Sequence, residues 1–156
     1  MKPALVLCFT LALCACGAGS PSPLDTSAGQ LSIQDSWAAP TPSGAAVSAG
    51  YLTIDNTADA DDRLLNATSP RAERIEIHEM TMDGAIMRMR SVEALDIAAN
   101  AETKLAPGSV HLMFYNVAPP FDEGEQIPVQ LTFETAGRID VVLTVRRSAP
   151  EDHAGL

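Results

Sequence analysis

From Leu31 onward the chain consists of short apolar or alternating runs separated by residues that turn or break a backbone, and this punctuation is what most limits the fold. The runs are Leu31 to Trp37, Val47 to Asp55, Leu64 to Ala67, Arg74 to Met80, Ala85 to Met89, Ala94 to Ala98, Val110 to Val117, Ile127 to Glu134 and Ile139 to Arg146. Between them lie Pro40-Thr41-Pro42-Ser43-Gly44, Asp83-Gly84, Pro107-Gly108, Pro119-Pro120 and Gly137. Proline fixes φ and glycine admits positive φ, so a strand stops at each of these places. No segment keeps a helical apolar period long enough for a bundle. About nine short strands, spaced roughly ten residues apart, predict an all-β domain built as an antiparallel β-sandwich.

Residues 1–16 stand outside that pattern. Lys2 gives a basic start and Ala4 to Ala15 is an almost unbroken apolar run, the layout of a secretory signal. A run of about twelve falls short of the ~20 residues that a spanning helix needs. Leu13-Cys14-Ala15-Cys16-Gly17 resembles the bacterial lipoprotein signal, in which the chain is cut before a cysteine that then carries lipid. Cys16 is therefore the expected lipidation site and ends the signal. The alternative is an ordinary signal cut at Ala18 or Ser20. Residues 17–30, small, polar and Pro-bearing, read as a flexible linker, residues 31–148 as the folded domain and residues 149–156 as a short tail. The expected location is the bacterial periplasm, on a membrane through the lipid anchor, or soluble there under the alternative cut.

Cleavage removes Cys8 and Cys14, and Cys16 is either lipidated or lost, so the domain holds no thiolate. A cysteine nucleophile, a zinc-thiolate cluster and a blue-copper thiolate are excluded. The net charge of -10 argues against nucleic acid as a partner, because phosphate tracking needs a basic face. There is no Gly-x-Ser-x-Gly elbow, and Asp61-Asp62 and Glu123-Gly124-Glu125 read as solvated turns, so the chain is not expected to be an enzyme.

The methionines carry the positive signal. Beyond the signal they are Met80, Met82, Met87, Met89 and Met113, and all lie beside the segments of His78 and His111 or in the hairpin that Asp83-Gly84 predicts between them. Period-two alternation sets Ile75 and Ile77 on one face of their strand, with Glu76, His78 and Met80 on the other. His78 and Met89 are expected as neighbours across the hairpin, and His111 and Met113 on one face of a later strand. Neutral thioethers with imidazoles suit Cu(I) better than hard cations or Zn. The competing reading is a non-catalytic adhesion or assembly β-sandwich lipoprotein without a metal site, its Met and His serving as packing.

His78, Met89, His111 and Met113 follow the order His, ten residues, Met, twenty-one residues, His, one residue, Met. This is the spacing of the PCuAC periplasmic copper chaperones, which the chain resembles over about residues 31 to 147. Asp35-Ser36-Trp37-Ala38, Ala49-Gly50-Tyr51-Leu52, Met87-Arg88-Met89-Arg90 and Leu105-Ala106-Pro107-Gly108 also look like family segments. The resemblance implies a cupredoxin-like fold and a Cu(I) ion held by His78, Met89, His111 and Met113. Met80 and Met87, in the same methionine cluster, are the candidate auxiliary ligands. It further implies delivery for respiratory cytochrome oxidase copper-site assembly, with a thiol-bearing copper assembly protein and a cytochrome oxidase subunit as recipients. The chain departs from many members at Ala39, where they have Arg, and in its short tail, whose single His153 is expected to be solvated.

Overall fold

The computed structural model describes residues 26–28 and 30–149. Cys16, the signal and His153 lie outside the described residues. Among the described residues eleven strands follow in order: β1 (Thr26–Ala28), β2 (Leu31–Ala38), β3 (Val47–Asn56), β4 (Asp62–Thr68), β5 (Arg74–Asp83), β6 (Ile86–Val92), β7 (Leu95–Ile97), β8 (Ala101–Leu105), β9 (His111–Tyr115), β10 (Gln126–Phe133) and β11 (Arg138–Val145). They form one connected sheet, ordered β6-β5-β9-β3-β2-β11-β10-β4-β7, with β1 added to β2 and β8 to β3. Every ladder is antiparallel except the short parallel pairing of β2 with β11 at Trp37 and Ala38. That pairing joins the two halves of the sheet.

Alternation explains the closure. On β10 Ile127, Val129, Leu131 and Phe133 are buried, and on β11 Ile139, Val141, Leu143 and Val145 are buried, with more polar residues between them. Their inner faces share one core with Leu52 and Ile54 of β3 and Leu112 and Phe114 of β9. All-apolar inner faces cannot remain in water, so the sheet folds over itself.

Two strands escape a reading by apolar runs. β8, Ala101-Glu102-Thr103-Lys104-Leu105, is buried only at Leu105, and its polar residues give little hydrophobic signal. β1 falls within the stretch read as a linker, yet Thr26–Ala28 pairs with Ser32 and its neighbours on β2. The folded part thus begins before Leu31.

A β-bulge on β2 decides which side chains share the outer face. Gln34 pairs with Thr53 and Trp37 with Tyr51, so β2 carries one extra residue over this stretch, and Asp35 there has φ 50°. Strict alternation from Ile33 would have turned Trp37 into the core. The bulge instead places Trp37 beside Tyr51, with ring centroids 4.4 Å apart, and sends Ala38 inward.

Beneath that face Gly50 pairs with Leu112, between the two candidate ligands of β9. A Cβ at Gly50 would lie 2.7 Å from Cε2 of Phe114 and 2.9 Å from Cδ2 of Leu143, so the two halves of the sheet meet over this residue. Gly50→Ala is expected to lower unfolding stability by about 1–3 kcal/mol through overpacking. Urea denaturation checks this, and unchanged stability would contradict such close packing.

Candidate metal centre

β5 pairs with β9 as well as with β6, and that central position creates the site. His78 is directly opposite His111, and Glu76 is opposite Met113. Directly paired residues lie on one face of a sheet, so alternation puts Arg74, Glu76, His78, Met80, His111, Met113 and Tyr115 on the outer face. The two imidazoles have centroids 5.7 Å apart at 65°. Tyr51 stands 6.3 Å from the His111 ring and Tyr115 6.1 Å from the His78 ring. These neighbours help to bury histidines on a face that would ordinarily be wet: His78 is 7% and His111 5% exposed.

The partners of each ring fix its tautomer. His111 Nδ1 lies 3.2 Å from the Ser109 carbonyl oxygen, which can only accept, so Nδ1 carries the proton and Nε2 keeps a lone pair. His78 Nε2 lies 3.0 Å from Glu76 Oε2 and donates to it, with the Tyr115 hydroxyl at 3.4 Å. Arg74 Nε donates to the other oxygen of Glu76 at 2.9 Å. The hydrogen bonds from His78 and Arg74 hold the Glu76 carboxyl below its ordinary pKa, so it is an acceptor at neutral pH. His78 Nδ1 is left buried with no hydrogen-bond partner. An orphaned, unprotonated ring nitrogen in a native structure calls for an explanation, and a soft metal ion is a direct one.

Burial pushes the His111 pKa below 6.5, and the neighbouring His78 lowers it further against the opposing hydrogen bond to Ser109. A neutral imidazole is the form that binds metal. Among the described residues no group of three or more His, Cys, Asp and Glu is placed to hold a metal ion. The other side chains near the histidine pair that could hold a soft ion are thioethers.

Met113 follows His111 by two residues on the same face and is half-buried. Met89 differs from expectation. The hairpin turns through Gly84 and Ala85, closed by Asp83 opposite Ile86, so Met89 faces Met80 while Ser91 faces His78. Met89 is therefore diagonal to His78, still within reach of a long side chain. Met87 faces Met82 further out. The direct pairing of His78 with His111 joins distant parts of the chain and left no mark in the sequence. The contributions of Ser109, Tyr51 and Tyr115 also escaped the sequence reading, while Glu76 was already placed on the histidine face by alternation. Two cavities of about 390 Å³ each lie elsewhere, and no His or Met lines either.

Comparison with known proteins adds a family. The family model described as "Putative lipoprotein LpqE-like" matches residues 31–145. The chain belongs to the LpqE-like family. A relative named "Putative lipoprotein Lxx21020", from Leifsonia xyli subsp. xyli, is 26% identical over 159 residues, covering 99% of this chain and 96% of that one. Among solved structures, the copper-bound PCuAC domain from PmoF2 superposes with a TM-score of 0.69 at 21% identity, covering 80% of this chain and 98% of that domain. The Cu(I) form of DR1885 from Deinococcus radiodurans gives 0.62 at 22% identity, with 86% and 84% covered. This LpqE-like chain thus has the β fold of PCuAC domains, and the cupredoxin-like architecture expected from its sequence is the one observed.

The tautomer assignment can be checked without metal. Long-range ¹H–¹⁵N correlations at alkaline pH are expected to show the proton of His78 on Nε2 and that of His111 on Nδ1. Glu76→Ala should give His78 a mixture of tautomers and leave His111 unchanged. A wild-type His78 protonated on Nδ1 would contradict the assignment.

Proposed function

We propose that the protein is a Cu(I)-binding metallochaperone of the bacterial envelope, holding copper through His78, His111, Met113 and Met89. The observation that carries this reading is the buried, unpartnered Nδ1 of His78 beside His111, whose free nitrogen is Nε2. The named relatives support it, since one solved PCuAC domain is described as copper-bound and DR1885 as a Cu(I) form. Two imidazoles and two thioethers add no negative charge and favour the reduced ion. Without a thiolate, such a set holds copper less tightly than a cysteine site and can release it, which suits a carrier. The protein is a binding protein and not an enzyme on this reading. Glu76 and the Ser109 carbonyl position the rings, as outer partners of metal-bound histidines do.

The recipients are proposed to be a thiol-bearing copper assembly protein and, through it, a cytochrome oxidase subunit. A thiolate binds Cu(I) more tightly than thioethers do and so gives transfer its direction. The lipoprotein descriptions of the family and of the Leifsonia relative favour anchoring through Cys16 in the periplasm. Cys16→Ser is expected to move the protein from the membrane to the soluble envelope fraction. A wild type recovered wholly soluble would contradict the anchor.

Anaerobic titration against a competing chelator is expected to show one tightly held Cu(I) per chain. Met113→Leu and Met89→Leu should weaken it while costing under about 1.5 kcal/mol of stability, since Leu keeps the volume and removes the sulfur. Protons compete with copper only on the imidazoles, so affinity should fall with pH by up to about tenfold per unit for each ring that must lose a proton. The low pKa of His111 delays its share of that loss to the acid side of 6.5. Unchanged affinity in both variants, or a flat profile from pH 8 to pH 5, would contradict the ligand set.

A further inference from the structure

The β5–β6 hairpin has two unlike faces. One carries Glu79 opposite Arg90 and Thr81 opposite Arg88, with ion pairs Arg90–Glu79 at 2.6 Å and Arg88–Asp83 at 3.2 Å. The other carries two rungs of methionine, Met80 opposite Met89 and Met82 opposite Met87, continuing outward along the strand from His78. Four of the six methionines of the chain stand on this one face.

Packing does not account for three of them, Met80 alone being half-buried. Met82 is 64%, Met87 59% and Met89 48% exposed, so these side chains fill no core gap. A merely apolar surface could be built from Leu or Val, yet every one of these four positions is a thioether. Opposed residues have Cβ atoms about 4.5–5.5 Å apart, and successive rungs lie about 6.5–7 Å apart along a strand. Flexible methionines at those separations can converge on one soft cation.

We propose that this face is a second Cu(I) site, an outer thioether station formed by Met82 and Met87 with Met80, from which the ion moves through Met89 to His78 and His111. The proposal rests on the copper reading above and extends it to the route by which the ion enters and leaves. Each step exchanges one neutral ligand for another, thioether for thioether along the hairpin and thioether for imidazole at its end, around a Cu(I) ion whose charge does not change, so no proton or electron moves. The outer station has no imidazole and is the weaker site. Its exposure lets an incoming or outgoing ligand reach copper that the buried histidines would shield, and the charged reverse face keeps the hairpin in water.

The test uses the purified protein carrying ¹³C-labelled methionine methyl groups, with Cu(I) added anaerobically past one equivalent. The first equivalent is expected to shift the His78 and His111 ring signals, and a second, weaker equivalent the methyls of Met82 and Met87. The double variant Met82→Leu, Met87→Leu keeps both side chains apolar and removes only sulfur, so it should lose the second equivalent. Unmoved Met82 and Met87 methyls in the wild type overturn the outer station. Retention of the second equivalent by the double variant does so too, leaving an apolar surface only. Movement of the methyls with no response from either histidine would uphold the outer station and overturn the central site instead.

Discussion

Backbone pairing between β5 and β9 is the interaction on which the site depends, because it alone sets His78 opposite His111. The strands are separated in sequence by β6, β7 and β8, and the pairing holds only because the inner faces on either side are apolar. Ile75 and Ile77 on β5 and Leu112 and Phe114 on β9 enter one core, and alternation leaves the intervening residues outside. A slip of one residue on β5 would turn Glu76 and His78 into the apolar core and the isoleucines to the outer face. The hydrophobic register thereby becomes the ligand register, and Gly50 allows Phe114 and Leu143 to close tightly behind it.

The outer face then behaves as a second, smaller packing problem. Trp37 packs at a tilt on Tyr51, which stands beside His111, while Arg74 sits 4.0 Å over the Tyr115 ring and pairs with Glu76. Burial keeps His111 neutral, and burial also raises the Tyr115 pKa, with the Glu76 charge adding to it, so the phenol keeps its proton. The outcome is a buried pair of rings, each with one nitrogen hydrogen-bonded and the other free. Burial at the histidines contrasts with the exposed methionine hairpin beside them. A carrier needs both a place that holds the ion and a part that another molecule can reach.

Much of this was legible in the sequence, for identifiable reasons. Runs such as Ile127 to Glu134 and Ile139 to Arg146 alternate cleanly because one face is core and the other is solvent, and they are strands in the structure. The shared face of Glu76, His78 and Met80 follows from alternation alone. What failed was anything set by a local irregularity or a distant partner. The bulge at Asp35 reverses the side on which Trp37 stands, and nothing in Gln34-Asp35-Ser36 announces it. The hairpin register depended on whether Asp83 belongs to the turn or to the strand. It belongs to the strand, so Met89 met Met80 and not His78. β8 was missed because its residues are mostly polar, and the encounter of the two histidines because no single sequence reports non-local pairing.

The most direct test of the account is X-ray absorption at the copper edge of the protein loaded with one Cu(I). Copper held by the two histidines and the methionines should show mixed coordination, with imidazole nitrogen at about 2.0 Å and thioether sulfur at about 2.3 Å, and a weaker sulfur shell in Met113→Leu. A first shell of nitrogen and oxygen alone, or a sulfur shell unaffected by Met113→Leu, would contradict it.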